Sequence, residues 1–223
     1  MTIPNDFDFT QSNLQDYVDC AYRFYLRYLL HIKWPALLVD DAIEFESRGQ
    51  TGARFHRMIQ QYLSGVPEDR ITDLAAADPN PEVAGWWDGF LLNIPPFLTG
   101  ERFVETTLAT SLNGYRLIAK YDLVLVSEEG DFTIFDWKTA QNRPKKNLLL
   151  KRIQTRLYPL ILAQSGGELN KSQSIYPEKI KMHYWFTSQP DALVSINNDQ
   201  DTLTRDQDYF TNLIDEIRGK EPG

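Results

Sequence analysis

The chain has 223 residues, of which 42% are hydrophobic and 24% are charged, and its formal net charge is −8. This composition is typical of a soluble globular protein, and the length suffices for one well-packed domain, so we predict a single domain over residues 1–223. The acidic balance argues against a protein that coats nucleic acid through bulk charge.

The sequence also argues against a membrane protein and a secreted protein. No apolar run approaches the roughly 20 residues that a membrane helix needs. Residues 1–8 lack a basic region followed by an apolar core, so we expect no signal peptide. The single cysteine, Cys20, rules out an internal disulfide framework and fits a reducing compartment. We therefore predict a cytoplasmic protein with no membrane partner.

The first half of the chain has mostly helical periodicity. Apolar residues recur at helical spacing in two longer segments and in a short one that carries Trp86 and Trp87. Polar and irregular stretches separate these segments. In chain order we predict a helix over 12–30, an irregular connection over 31–48, a helix over 50–63 and a loop over 66–80.

The second half has a mixed α/β order. We predict strands near 101–109, 115–127 and 131–138, a helix over 147–164, a strand over 179–187 and a helix over 200–218. The strand 115–127 is apolar on both faces, which favours a central strand covered by helices on both sides.

We predict a β-hairpin over 115–138. Both of its strands contain charged side chains, which are unfavourable in a buried sheet unless they are paired. Asp122 falls in the middle of the first strand, and Asp136 and Lys138 end the second. Residues two apart on a strand share a face, so Asp136 and Lys138 point the same way and Trp137 points opposite. Buried carboxylates need a partner, which is either a lysine or a hard divalent cation such as Mg²⁺ or Mn²⁺.

A basic stretch follows the hairpin. From Lys138 through Arg156, counting both, there are seven basic residues and no acidic one. Such a local surface beside an acidic site suits a phosphodiester substrate, although a solvated loop and helix face would look the same. The candidate DNA contacts are Arg143, Lys145, Lys146, Lys151, Arg152 and Arg156.

Four sequence elements, taken together, resemble the RecB-like branch of the PD-(D/E)XK nuclease superfamily. That branch includes the nuclease domains of RecB and AddB and the CRISPR-associated RecB-like exonucleases. In chain order the elements are Gly52-Ala-Arg-Phe-His56, Asp122, Asp136-Trp-Lys-Thr139 and Gln154-Thr-Arg-Leu-Tyr158.

This resemblance implies a restriction-endonuclease-like α/β core, in which a mixed central β-sheet is flanked by helices on both faces. It implies that His56, Asp122 and Asp136 bind Mg²⁺ or Mn²⁺. It also implies that Lys138 orients or activates the attacking water. Gln154 and Tyr158, four apart on one helix, are expected to lie near the active site.

Two of the chain's departures from the family pattern concern the cysteines and the helix that carries Tyr158. Cys20-Ala-Tyr-Arg-Phe24 resembles the Cys-Pro-x-x-Phe segment of the iron–sulfur members, but no further cysteine exists, so no iron–sulfur cluster can form within the chain. Pro159 follows directly after Tyr158, and a proline inside a helix predicts a kink at that point.

The leading functional prediction is a metal-dependent DNA nuclease, and an exonuclease rather than a site-specific restriction enzyme. Its partner would be DNA, as single strands or duplex ends, with a helicase or repair protein as a possible further partner. An inactive nuclease fold that serves as a DNA-binding or assembly subunit is the alternative, and RNA is an alternative substrate.

Overall fold

The computed structural model describes residues 3–32 and 39–219, and only the backbone of 39–48. The first half is mainly helical and ends with a 3₁₀ turn over Pro95–Phe97. Its elements are β1 (Asp8–Thr10), α1 (Gln11–Asp19), α2 (Ala21–Phe24), which continues into a π-helical turn over Tyr25–Leu29, α3 (Val39–Leu63), α4 (Glu68–Ala76) and α5 (Glu82–Asn93).

The second half supplies the remaining strands and the C-terminal helices. Its elements are β2 (Glu101–Val104), β3 (Thr107–Leu112), β4 (Tyr115–Lys120), β5 (Leu123–Val126), β6 (Phe132–Lys138), α6 (Lys146–Leu149), α7 (Ile153–Ser165), β7 (Ile180–Phe186), β8 (Leu193–Asn197) and α8 (Gln200–Gly219). Two 3₁₀ helices, Gly166–Asn170 and Pro177–Lys179, connect α7 to β7.

The strands form two mixed sheets. The larger has five strands in the order β2-β5-β6-β7-β8, and the smaller has three in the order β1-β4-β3. Strands β6 and β7 are parallel, as are β1 and β4, and the other pairs are antiparallel. The mixed α/β fold predicted from the sequence is therefore confirmed, with the sheet divided in two.

The predicted strand 115–127 is wrong as a single strand, because it divides at Tyr121 and Asp122. The first part, β4, lies in the small sheet, and the second part, β5, lies in the large one. The predicted strand 101–109 divides in the same way around Glu105. Glu105 has a φ of 53°, a left-handed backbone that ends regular strand pairing.

Hydrogen bonds across the bend keep the two chain segments together. The Glu105 N–H donates to the carbonyl of Asp122 at 3.1 Å, and the Tyr121 N–H donates to the carbonyl of Thr106 at 2.8 Å. A tight turn connects β5 to β6 in the predicted hairpin, where the Gly130 N–H donates to the Ser127 carbonyl at 3.0 Å. Asp122 is thus held at the junction of the two sheets.

Two helices in the first half were missed by the sequence analysis. The connection predicted over 31–48 is wrong for 39–48, which forms the start of α3; residues 33–38 lie outside the described residues. Residues 39–48 contain no Gly or Pro and include Ala and Glu, which favour helix. The loop predicted over 66–80 contains α4, in which Ile71 and Ala75, four apart, are both buried.

Two predicted helices are interrupted. The helix predicted over 12–30 breaks at Cys20, which has an extended backbone. The helix predicted over 147–164 divides into α6 and α7. The Ile153 N–H at the start of α7 donates to the side chain of Gln15 on α1 at 3.2 Å, a cap that no local pattern could reveal.

Apolar side chains cover both faces of the large sheet. On one face the α3-side core brings α3, α4 and α5 against the sheet, with Phe55, Trp87, Phe90, Trp137 and Trp185 buried in it. On the other face the α7-side core brings α1, α7 and α8 against both sheets, and it includes Leu14, Ile134, Ile161, Tyr184 and Phe210. None of the described helices is long and apolar enough to cross a bilayer.

A two-pronged ion pair joins α3 to the chain after α4. Arg54 Nε lies 2.7 Å from Asp78 Oδ2, and its Nη2 lies 2.8 Å from Oδ1. The Arg54 hydrogen bonds, with one from the Asn80 N–H, lower the pKa of Asp78 below its usual value. The ionised form is therefore the stabilising one, and its contribution is lost as the pH falls through that lowered pKa.

We expect Asp78→Asn to reduce the free energy of unfolding by about 1–2 kcal/mol at pH 7, since it replaces a charged hydrogen-bond acceptor with a neutral one. Urea denaturation at pH 7 and in acid measures the effect, and the difference from wild type should shrink in acid. Asp88→Asn, at an exposed position on α5, is the control and should be close to neutral. A difference that persists unchanged in acid would contradict the ion-pair explanation.

Candidate functional site

Two charged side chains project from the end of β6 toward α7. Asp136 and Lys138 lie on the same side of the strand, with Lys138 Nζ 2.7 Å from Asp136 Oδ2. The side chain of Trp137 points to the opposite face, into the α3-side core. The alternation predicted from the sequence is confirmed for these three residues.

Gln154 on α7 connects the two charges. Its Nε2 donates to Asp136 Oδ1, and its Oε1 accepts a hydrogen bond from Lys138 Nζ at 2.9 Å. Because all three side chains contact one another, the ammonium group of Lys138 is fixed by two partners. The helix α7 places Gln154 there because its residues 153–155 are all buried against the sheets.

Asp122 reaches the same region from the junction of the two sheets. Its Oδ2 accepts a hydrogen bond from the Trp137 N–H at 2.9 Å. Its Oδ1 lies 3.4 Å from Nδ1 of His56 on α3. Four elements, α3, the β4–β5 junction, β6 and α7, thus contribute His56, Asp122, Asp136, Lys138 and Gln154 to one site.

Tyr158 packs beside this group. Its ring contacts that of Tyr121 with centroids 4.9 Å apart, and its carbonyl accepts a hydrogen bond from the Tyr121 hydroxyl at 2.9 Å. Burial, with the nearby charges of Asp136 and Asp122, raises the pKa of Tyr158 far above its usual value. Helix α7 is not interrupted at Pro159. Tyr158 therefore reaches the site as a neutral phenol.

Tyr184 lies beside Lys138 and was not among the residues predicted for the site. The ring of Tyr184 on β7 has its centroid 5.9 Å from Lys138 Nζ, and its hydroxyl lies 2.8 Å from Oγ1 of Thr155. Tyr184 is in register with Asp136 across the parallel pair β6–β7. Its place beside the site depends on the pairing of β6 with β7, which the local periodicity of the sequence does not reveal.

Burial and neighbouring charge set opposite pKa shifts on the two carboxylates. Burial raises the pKa of Asp136, and the Asp122 charge adds to this against the opposing effect of Lys138. Burial would also raise the pKa of Asp122, but His56, the Trp137 N–H and Lys138 outweigh it and lower that pKa.

The imidazole of His56 completes this charge arrangement. Burial by itself would lower the pKa of His56, but the hydrogen bond and charge of Asp122, with the charge of Asp136, raise it. The carboxylate of Asp122 is thus the group that stays ionised most readily.

The donor atoms fit a divalent cation chemically. Two carboxylates and an imidazole are ligands that Mn²⁺ accepts, and the carboxylates also suit Mg²⁺. The buried Oδ2 of Asp136 accepts no well-oriented hydrogen bond among the described residues, and its contact is the ion pair with Lys138. No three His, Cys, Asp or Glu side chains of the described ranges already surround a common point.

An open cleft of about 690 Å³ lies beside Asp122. One wall is a face of α3 and the other is formed by the bent strands. The residues that line it are Gly49, Gly52, Ala53, Arg54, His56, Arg57, Gln60, Glu105, Lys120, Asp122 and Thr139.

None of the six basic residues predicted to contact DNA, all within the described ranges, lines this cleft. Arg156 instead lies 2.5 Å from Asp206 Oδ1 on α8, with its guanidinium 3.6 Å from the ring centroid of Tyr209. Lys146 Nζ donates to the Ser195 carbonyl at 2.7 Å. Arg143 is half-buried, and Lys145, Lys151 and Arg152 are exposed.

Comparison with known proteins gives a family and a fold. The sequence profile of the PD-(D/E)XK nuclease superfamily matches residues 8–222. No curated protein matches the chain.

A solved structure from Eubacterium rectale, named "Putative exonuclease", superposes with a TM-score of 0.57 at 8% identity over 96% of this chain and 80% of that one. This likeness shows the fold. A second solved structure, SSO0001, is 15% identical over 96% of this chain and 77% of that one, with a TM-score of 0.43.

Proposed function

This chain belongs to the PD-(D/E)XK nuclease superfamily, and on that premise we propose that it is a metal-dependent deoxyribonuclease of the RecB-like branch. It hydrolyses phosphodiester bonds and acts as an exonuclease. The observation that carries the proposal is the convergence of Asp122, Asp136, Lys138 and Gln154, with His56 beside them, at one end of the large sheet.

The acidic residues and the histidine form the metal-binding part of the proposal. Asp122, Asp136 and His56 would hold Mg²⁺ or Mn²⁺, because these ions prefer oxygen ligands and Mn²⁺ also accepts imidazole. The ion, when bound, supplies positive charge that stabilises the charge developing on the scissile phosphate.

Lys138 is the proposed positioning and electrostatic residue of the reaction. Gln154 and Asp136 hold its ammonium, and 35% of its side chain remains exposed to solvent. It can therefore orient the attacking water and offset negative charge in the transition state without first having to be ordered. Tyr158 and Tyr184 are both buried, and the Tyr184 ring centroid lies 5.9 Å from Lys138 Nζ.

We expect the enzyme to cleave faster with Mn²⁺ than with Mg²⁺ at matched concentrations, since an imidazole ligand suits the softer ion better. Initial rates on one labelled oligonucleotide measure the preference. Replacing the imidazole in His56→Asn should reduce the ratio of the two rates. Equal or lower rates with Mn²⁺ in the wild-type protein would count against His56 as a ligand.

The proposed function is tested by incubating end-labelled single-stranded DNA, duplex DNA and RNA with the protein in Mn²⁺, Mg²⁺ or EDTA. Cleavage of DNA that EDTA abolishes is the expected result, and a ladder that shortens from one end identifies exonuclease action. Cleavage of RNA but not of DNA would show that the substrate is RNA. DNA binding without cleavage in any metal would favour a non-catalytic DNA-binding or assembly subunit.

A further inference from the structure

The cleft beside Asp122 contains a charged pair that the proposed reaction does not use. Lys120 Nζ lies 2.5 Å from Oε2 of Glu105, and both side chains line the cleft together with His56. The lysine side chain is 66% exposed, whereas the glutamate is 20% exposed. Glu105 is thus packed into the wall of the cleft, whereas the ammonium group of Lys120 is exposed to the solvent in the cleft.

The backbone conformation of Glu105 indicates a functional role for this residue. Its φ of 53° is a left-handed conformation that glycine or asparagine adopts at lower cost than glutamate. Residues held in such conformations cluster at binding and active sites. The N–H of Glu105 also donates to the carbonyl of Asp122 at 3.1 Å, so the strained residue is fixed against the site itself.

Lys120 and Asp122 project from the same side of the bent strand. Tyr121 between them is fully buried in the α7-side core, whereas both of its neighbours line the cleft. The opposite wall adds Arg57, which is exposed, and Gln60, three residues further along α3. Gly49, Gly52 and Ala53 also line this wall, and their small side chains leave the cleft open there.

A nucleic acid strand carries a negative charge at every nucleotide, and contacts to these phosphates fix its register on a protein. If Asp122 lies at the scissile phosphate, a cation two residues away on the same wall meets an adjacent phosphate. In the free protein Glu105 supplies a partner for the ammonium group of Lys120.

We propose that Lys120 binds the substrate phosphate next to the scissile one, and that Glu105 positions the Lys120 ammonium before the strand arrives. The inference rests on the proposed nuclease function and states where the substrate strand lies. The substrate strand lies in the cleft between α3 and β4, with Arg57 on the opposite wall. It does not follow the basic residues 143–156.

The test is the salt dependence of binding to fluorescein-labelled single-stranded DNA, measured by anisotropy in EDTA so that no cleavage occurs. Lys120→Gln is expected to weaken binding several-fold and to reduce the slope of log K against log [salt] by about 0.7, the value of one phosphate contact on a single strand. Lys120→Arg, which keeps the charge, should restore most of the affinity and slope.

Lys179→Gln is the matched control, because Lys179 also pairs with a carboxylate, 2.9 Å from Asp131 Oδ1, at the opposite end of β6. It should leave affinity and slope unchanged. In steady-state cleavage with Mn²⁺, Lys120→Gln should raise KM while kcat changes little, since the contact is made equally before and during the reaction.

Two outcomes overturn the inference separately from the proposed function. If wild-type protein cleaves DNA and Lys120→Gln keeps its affinity and slope, Lys120 is not a phosphate contact. If Lys146→Gln reproduces the expected loss and Lys120→Gln does not, the strand follows the basic segment instead. If the wild-type protein neither binds nor cleaves DNA or RNA, the proposed function fails and the inference fails with it.

Discussion

Replacing Asp136 with asparagine is expected to lower the cleavage rate by about 10³-fold or more and at the same time to raise the thermal midpoint of unfolding. The carboxylate is a proposed metal ligand and a partner of Lys138, so its charge is needed for the reaction. The same charge is buried at 4% exposure, and burial raises the pKa of Asp136. A neutral isostere removes that desolvation cost.

The sign of the stability change follows from the pKa. A carboxyl group whose pKa is higher in the folded protein than in the unfolded chain destabilises the fold at pH values above it, where the group must ionise. Asparagine has no such penalty, and it can still accept a hydrogen bond from Gln154. Calorimetry and the DNA cleavage assay on the same preparation measure both effects.

Asp206→Asn separates the catalytic effect from the general effect of burying a carboxylate. Asp206 is also buried, pairs with Arg156, and has its pKa raised by burial, but it lies on α8 away from the cleft. We expect this variant to keep full cleavage activity. Metal-dependent cleavage by Asp136→Asn at the wild-type rate would remove Asp136 from the proposed site.

Replacing Gly52 with alanine is expected to reduce the cleavage rate by about 10–100-fold without loss of thermal stability. A Cβ at this position would lie 2.8 Å from Oγ1 of Thr139, the residue that follows Lys138. Helix α3 would have to move outward or Thr139 would have to turn. Gly52 lies one helical turn before His56, so an outward shift separates His56 from Asp122, and displacements of about 1 Å can cost that much in rate.

Alanine favours a helix over glycine by about 1 kcal/mol, so reduced activity in Gly52→Ala would not reflect a weakened helix. Gly49→Ala is the matched control, because it lies on the same face of α3 and its added Cβ would meet nothing within 4 Å. The double variant Gly52→Ala/Thr139→Ala removes the closest atom and should recover activity. Wild-type rates in Gly52→Ala alone would show that Thr139 yields and that the close approach has no role.

The parts of the site that depend on the side-chain periodicity of a single strand or helix could be predicted from the sequence. Alternation along β6 places Asp136 and Lys138 together and Trp137 opposite, and the structure has this arrangement. Helical spacing placed Gln154 and Tyr158 on one side of their helix, and the family resemblance placed that side near the site. In the structure Gln154 contacts Lys138.

The bend of the strand pair could not be predicted in this way. The apolar pattern is equally strong before and after Asp122, and the break depends on Glu105, whose left-handed backbone lies on the neighbouring strand. The start of α7 depends on a cap from Gln15, 138 residues away in sequence. Both features are set by tertiary contacts.

The basic segment illustrates a different limit. Charge along a sequence shows where cations are abundant but not which of them find acidic partners after folding. Arg156 is paired with Asp206, and the cations that line the cleft, such as Arg57 and Lys120, come from elements outside the basic segment. Local charge density therefore did not identify the residues that face the cleft.

The two cores described above lie on opposite faces of the large sheet, and the site draws on both. His56 is carried by a helix of the α3-side core, and Gln154 by a helix of the α7-side core, whereas Asp136 belongs to the sheet between them. Local opening of a protein often detaches one packed layer at a free energy below that of global unfolding. Detachment of either layer would disassemble the site while the strands stay paired. Under mild denaturant, catalytic activity should accordingly disappear before the slowest-exchanging amide protons of β6 and β7 lose their protection.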